Sequence, residues 1–436
     1  MNLLTEALPL RAVDGDGRPV WIARDSSFRI AAAALWIVWF ACTVAPVVAN
    51  VRDMMASNSP QGALIEYAYY IHRFWAGQSI YVTHDLHGFH YLPASLIFAT
   101  PLTWISPPLA GAVIGVLSIA AMTGSVCYLA RVLFPERTLT MAGVILGLSA
   151  MPATTSLNLL QFQIFMTSSV IAAGAAAMRG RYREMALWLL LGIAIKPLGV
   201  VFALVAICLY PRCRLLLIVP VILLVLLPYA VQDVAYVSQE YANYFGQLWH
   251  ITEASPMDWG SQADFPVFWE HFGVDLSAPI RMVIRLAAVL ATLTAALRLA
   301  SWGNTKATGF GLLAMTVSFI ALFNPKQESY SFVVAAPALA ALTVLLLRRN
   351  IADWRGWLWV GFTICIGLRV TTGQRWILPG LMLVIWLCLM WLIANRAQWL
   401  ALFAPAPVAH DARPGSQTAG KEKPRRSGVS LREEQA

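Results

Sequence analysis

The chain has 436 residues, 59% hydrophobic and only 12% charged, with a mean hydropathy of +0.65. Soluble domains carry about 25% charged residues, so a water-soluble enzyme is excluded and a polytopic membrane protein is expected. The net charge of +9 would point to nucleic acid in a soluble chain, but Lys and Arg here gather in short loops and in the tail, the positive-inside pattern, and no nucleic-acid partner is expected.

In chain order, residues 1–29 are polar and contain Asp14, Asp16 and Asp25. They run into a full-length apolar segment without an Ala-x-Ala site, which predicts a cytoplasmic arm ahead of a signal anchor, not a cleaved leader. The first span covers 30–50. A polar, aromatic-rich outer loop follows at about 51–90. Further spans are expected at 109–133, 139–156, 159–178, 215–231, 280–300, 307–323, 331–347, 356–370 and 376–394, each near the length a bilayer needs. The expected fold is therefore an all-α transmembrane bundle of about 10–12 spans over residues 30–396. A second outer loop is expected at about 232–279, and a disordered basic cytoplasmic tail at 397–436. The cysteines form no Cys-x-x-Cys pair and read as small core residues.

Two segments resist a simple reading. Residues 91–106 are apolar but short and broken by Pro93 and Pro101, and residues 184–209 are interrupted by "AIKP" at 194–197. If neither crosses the membrane, Arg131/Arg137, Arg179/Arg181/Arg183, Arg212/Arg214, Arg298/Lys306 and Arg348/Arg349 all face one side. Residues 184–209 then form a hairpin of two half-helices with Lys196 near its tip, an irregularity tolerated where it lines a protein-enclosed cavity. The outer loops then share the opposite side with "NLLQFQ" (158–163) and "NPKQESYS" (324–331), and they combine many carboxylates with many aromatic rings. Aromatic faces beside acids suit sugars; an interfacial aromatic belt is the alternative.

The stretch "HDLHGFHYLP" (84–93) carries three histidines at i, i+3 and i+6 around Gly88. That spacing does not put three ligands on one helical face, so no metal and no cofactor is assigned, a divalent ion being the alternative. His90 and Tyr91 are expected to contact substrate instead.

The motifs "EYAYYIHRFWAGQSIY" (66–81), F-x-Y-x-P (89–93), "LQFQ" (160–163), "RGRYREMALWLLLGIAIKPLGVVFAL" (179–204) and "NPKQESYSFVVAAPAL" (324–339) follow one another in a characteristic order. That order resembles the GT-C glycosyltransferases that use polyprenyl-phosphate sugars, most closely glycosyltransferase family 87, the mannosyltransferase-like group. The resemblance covers roughly residues 30 to 345. Tyr91-Leu92-Pro93 stands where the family has Tyr-Pro-Pro, and Tyr330 stands at its late histidine. The family's loop acid falls nearer Ala63 than Glu66. The resemblance implies a bacterial inner-membrane enzyme with an extracytoplasmic active site. It implies transfer of a hexose, mannose by the family's precedent, from polyprenyl phosphate to a lipid-linked or cell-envelope glycan, by inverting displacement. A flippase for lipid-linked sugars and a non-catalytic scaffold of the same fold are the alternatives.

Such a transfer needs a carboxylate to take the acceptor's proton, and Glu66 and Asp53 are the candidates. A lysine inside an apolar stretch costs about 2.5–3.5 kcal/mol at a helix centre, which makes Lys196 a functional residue by default. Its natural partner is the donor phosphate, with Lys326 as a second contact. Gln161, Gln163 and Tyr330 complete the expected substrate contacts, glutamines between helices also serving as interhelical glue.

Overall fold

Every regular element among the described residues is helical. The computed structural model describes residues 25–81, 89–253, 263–325, 328–349, 354–372 and 376–404, all within the unit Arg24–Ala404. The helices are α1 (Asp25–Ser57), α2 (Ala63–Trp75), α3 (Pro93–Ala99), α4 (Pro107–Leu133), α5 (Thr138–Asn158) and α6 (Gln163–Met178). They continue with α7 (Tyr182–Ile195), α8 (Val200–Leu209), α9 (Arg214–Leu226), α10 (Val234–Glu253), α11 (Phe265–His271) and α12 (Ala278–Ala300). The last are α13 (Thr305–Phe323), α14 (Ala336–Arg349), α15 (Trp354–Thr372), α16 (Ile377–Ala394) and α17 (Arg396–Ala401). Among the described residues, 7 helical stretches are long and apolar enough to cross a membrane, and Gln163–Met178, Pro197–Leu209 and Ala336–Arg348 are shorter apolar helices. The chain is an integral membrane protein with an all-α polytopic bundle.

At the centre are α6 and α13, both built from small residues and almost wholly buried. Small side chains let backbones approach where lipid supplies no hydrophobic drive between helices. At Gly309 an added Cβ would sit 2.6 Å from the Met178 amide nitrogen, so only glycine fits there. On the outside, α1 packs against α4 and α5 and presents Ile30, Ile37, Val44 and Val48 outward, a surface suited to acyl chains. The stretch expected as a second outer loop contains the helices α10 and α11, and α10 buries Glu240. Within the stretch assigned by composition to the tail, α17 buries Trp399, whose indole donates to the Ala307 carbonyl at 3.2 Å.

The two awkward segments are both short. Residues 91–106 form α3 and a 3-10 turn, Thr100–Trp104; seven α-helical residues rise only about 10 Å. Residues 184–209 break at Lys196, whose backbone is extended (φ −145°, ψ 122°). Pro197 causes this: its ring pushes the preceding residue out of the α region and it has no N–H to continue the helix. Beyond the break α8 doubles back, so Tyr182 at the start of α7 packs on Tyr210 just past the end of α8, ring centroids 4.9 Å apart. Lys196 is thus the tip of a helical hairpin.

The bundle has two chemically different ends. At one, Arg131, Arg179 and Lys306 border a common cavity, Lys306 Nζ donates to the Leu133 carbonyl at 3.3 Å, and the Arg348 guanidinium lies 6.0 Å from the Phe134 ring centroid. The antiparallel pair α6/α7, in register at Gly192 against Ser169, then puts Gln163 and Lys196 at the other end.

Candidate active site

That other end is built on a junction of two unusual backbone positions. Gly62 (φ +54°) starts α2, and an added Cβ would lie 2.4 Å from the Leu159 carbonyl oxygen. Leu160 (φ +48°) turns the chain between α5 and α6. A bulky residue with positive φ is uncommon and held only by its surroundings. Here the Ala63 N–H donates to the Leu159 carbonyl at 2.9 Å, and Asn50 Nδ2 donates to the Leu157 carbonyl at 3.1 Å. The first turn of α2, with Glu66, is thereby docked onto the "LQFQ" turn.

From this base an aromatic wall rises. Tyr67 packs on Phe162 (centroids 4.4 Å apart) and on Tyr91 (5.4 Å), and Phe89 packs on Tyr91 (5.3 Å). The Tyr81 hydroxyl donates to the Tyr91 carbonyl. Glu240 of α10 accepts from the Ile80 N–H at 2.8 Å, tying the segment after α2 to α10. Pro93 occupies the first turn of α3, where a missing N–H costs nothing, so the chain leaves the wall directly into a helix.

The hairpin tip meets this wall. Lys196 Nζ lies 5.5 Å from the Tyr91 ring centroid, within cation–π range. Glu328 and Glu66 are the carboxylates acting on Lys196, Glu328 the more strongly. Both also act on Tyr91 and Tyr330, and Tyr330 donates its hydroxyl to Glu328. Burial pushes the phenols of Tyr67, Tyr91 and Tyr330 above the ordinary tyrosine value, with neighbouring carboxylates adding to the effect at Tyr91 and Tyr330, so they remain hydrogen-bond donors. Gln163 is fully buried with both amide atoms unpartnered, and Gln161 Oε1 is buried and unpartnered as well. An unsatisfied buried amide costs about 1–3 kcal/mol, which a polar ligand would offset.

Of the residues singled out from sequence, the structure gathers Glu66, Tyr91, Lys196 and Tyr330 electrostatically, with Gln161 and Gln163 on the turn beneath α2. His90 is half-buried immediately before Tyr91. Asp53 stands apart: its side chain is exposed on α1 and pairs with neighbouring Arg52 at 3.4 Å. Lys326, His84 and His87 lie outside the described residues. Glu328 was not singled out from sequence; its signal was an acid between Lys326 and Tyr330 in a segment already placed on the polar side.

The sequence profile of glycosyltransferase family 87 matches residues 89–325, more than half of the chain. The chain belongs to glycosyltransferase family 87. No individual curated protein matches it significantly. Membership makes this integral membrane protein a glycosyltransferase. The matched region of this family 87 enzyme contains His90, Tyr91, Gln161, Gln163 and Lys196, while Glu66, Glu328 and Tyr330 flank it in sequence and meet it in space.

Proposed function

We propose that the enzyme takes a hexose, mannose in the first instance, from a polyprenyl phosphate and transfers it to a lipid-linked or cell-envelope glycan. The transfer takes place on the extracytoplasmic side of a bacterial inner membrane. The observation that carries this reading is the meeting of one lysine, two carboxylates and an aromatic wall at the tip of a membrane hairpin. An acceptor hydroxyl attacks the anomeric carbon as the bond from that carbon to the phosphate oxygen breaks, inverting the centre. Glu66 takes the hydroxyl proton. Lys196, joined by Lys326, holds the departing phosphate and neutralises its growing charge. Glu328 orients Lys196 and Tyr330, while His90, Tyr91, Gln161 and Gln163 contact the sugar and phosphate. Basic residues gathered at the opposite end support the assignment of sides, since such loops stay cytoplasmic.

The test is transfer by purified enzyme in lipid nanodiscs given radiolabelled polyprenyl-phosphate mannose, glucose or galactose together with membrane lipid extract. Label is expected in an extractable glycolipid or glycan with wild type and not with Lys196→Ala or Glu66→Gln. Transfer undiminished in both variants would sink the residue assignment. Movement of the labelled lipid across a vesicle bilayer without transfer would favour a flippase.

A further inference from the structure

The opposite end of the bundle contains a second set of cations that the glycosyl-transfer reading does not use. Arg131 in the last turn of α4, Arg179 just past α6 and Lys306 in the first turn of α13 come from three separate turns, yet all line one cavity of about 350 Å³. The rest of its lining among the described residues is Val132, Pro135 and Met178, with no carboxylate. Two of the cations contact neutral groups. Lys306 Nζ donates to the Leu133 carbonyl at 3.3 Å, and the Arg179 guanidinium lies 5.9 Å from the Tyr128 ring centroid. Arg348 adds a further positive charge acting on Lys306. Of the nearby acids, Glu184 is engaged by Arg181 at 3.4 Å and by the Tyr128 hydroxyl, and Glu136 is exposed on the turn beside Pro135.

Membrane insertion accounts for basic residues being at this end. It does not account for three of them converging on one concavity, since like charges brought together repel. We propose that this cavity binds a phosphate group, carried by an anionic lipid headgroup or free in solution. Guanidinium groups pair with phosphate oxygens in a fork, and an ammonium adds a point charge beside them. The cavity is roomier than a phosphate alone needs, and Val132 and Met178 give it an apolar side on which a glycerol backbone fits. Basic pockets between membrane helices are a recurrent way of holding such headgroups.

The experiment compares three proteins purified in neutral detergent: wild type, Arg131→Gln/Arg179→Gln/Lys306→Gln, and Arg212→Gln/Arg214→Gln as a control in another basic turn. Each is titrated with phosphatidylglycerol, phosphatidylcholine and inorganic phosphate, read by thermal unfolding and by lipid adducts in native mass spectrometry. Phosphatidylglycerol is expected to stabilise and remain on wild type and control, and to bind the triple variant about tenfold more weakly, the loss of one charge-assisted contact or more. Equal stabilisation by inorganic phosphate identifies the free anion as the ligand; stabilisation by phosphatidylglycerol alone identifies the lipid. The proposal is overturned if the triple variant binds like wild type, if the control loses as much, or if phosphatidylcholine binds as well as phosphatidylglycerol and inorganic phosphate has no effect. Should the triple variant aggregate, Arg179→Gln alone, an exposed position, carries the same comparison.

Discussion

The two ends of this bundle handle positive charge in opposite ways. At one, Glu328 and Glu66 act on Lys196, which lies over the face of Tyr91; at the other, Arg131, Arg179 and Lys306 share a cavity whose described lining has no carboxylate. A cation acted on by nearby acids beside an aromatic wall is the one proposed to serve the chemistry of the site. Cations gathered at the ends of α4, α6 and α13 around a cavity without a lining carboxylate are the ones proposed to meet an anion from outside. Each arrangement draws its residues from well-separated parts of the sequence. The helices α6, α7 and α13, which run from one end to the other, are what keep the two charge systems apart.

The sharpest way to break the comparison is to remove charge at each end in turn. Lys196→Gln is expected to lower sugar transfer by about 10²–10³-fold, the effect of removing one preorganised charge-stabilising group. Arg212→Gln, outside both clusters, is expected to leave transfer within about twofold of wild type in the same assay. Next in size is Gly62→Ala. It places a side chain at positive φ and against the Leu159 carbonyl, at a cost of about 1–3 kcal/mol, and it tilts Glu66 away from Lys196. Both a lower unfolding temperature and a loss of transfer are expected; unchanged transfer would uncouple Glu66 from that junction.

A third charge pattern sharpens the contrast. Asp264, at the N-terminus of α11, is buried and lies 3.2 Å from Arg285. Burial raises its carboxyl to about 7, with Arg285 offsetting part of the rise. The folded chain then holds this proton more tightly than the unfolded one, whose aspartate titrates near 4. The resulting stability is fully present below pH ~4 and is lost as pH rises through about 7. Wild type should therefore lose more thermal stability between pH 4 and 7 than Asp264→Asn does, measured by unfolding scans across that range. Parallel profiles would show that Asp264 titrates normally. The smallest effect is expected for Tyr210→Leu, which removes the ring packed on Tyr182 and about 0.5–1.5 kcal/mol beyond area, seen as a modest drop in unfolding temperature with transfer retained.

Features written in local chemistry were legible in the amino-acid sequence. Apolar runs and basic turns specified a helical membrane bundle, and Lys196-Pro197 specified a break, because proline's restriction acts on its immediate neighbour. The choice between Asp53 and Glu66 was not legible, since both are acids of one polar stretch. Helix phase separates the two in space: α1 continues to Ser57 and leaves Asp53 exposed beside Arg52, whereas Gly62 docks α2 and Glu66 acts on Lys196. Glu328 escaped notice because its importance depends on meeting Lys196 across the fold, a contact no local pattern encodes. Glu240 looked like one more loop acid, and only its bond to the Ile80 N–H shows that it joins α10 to the segment after α2.

The hairpin of α7 and α8 has a consequence for how the whole chain is threaded. A segment that enters and leaves on one face adds nothing to the tally of crossings, so each span after Arg214 inherits its direction from the spans before Arg179. If Pro197 let the two halves fuse into a single helix, the parity of everything downstream would reverse, and Glu328 would be delivered to the opposite face from Glu66. One imino ring therefore decides whether the two acids can ever meet.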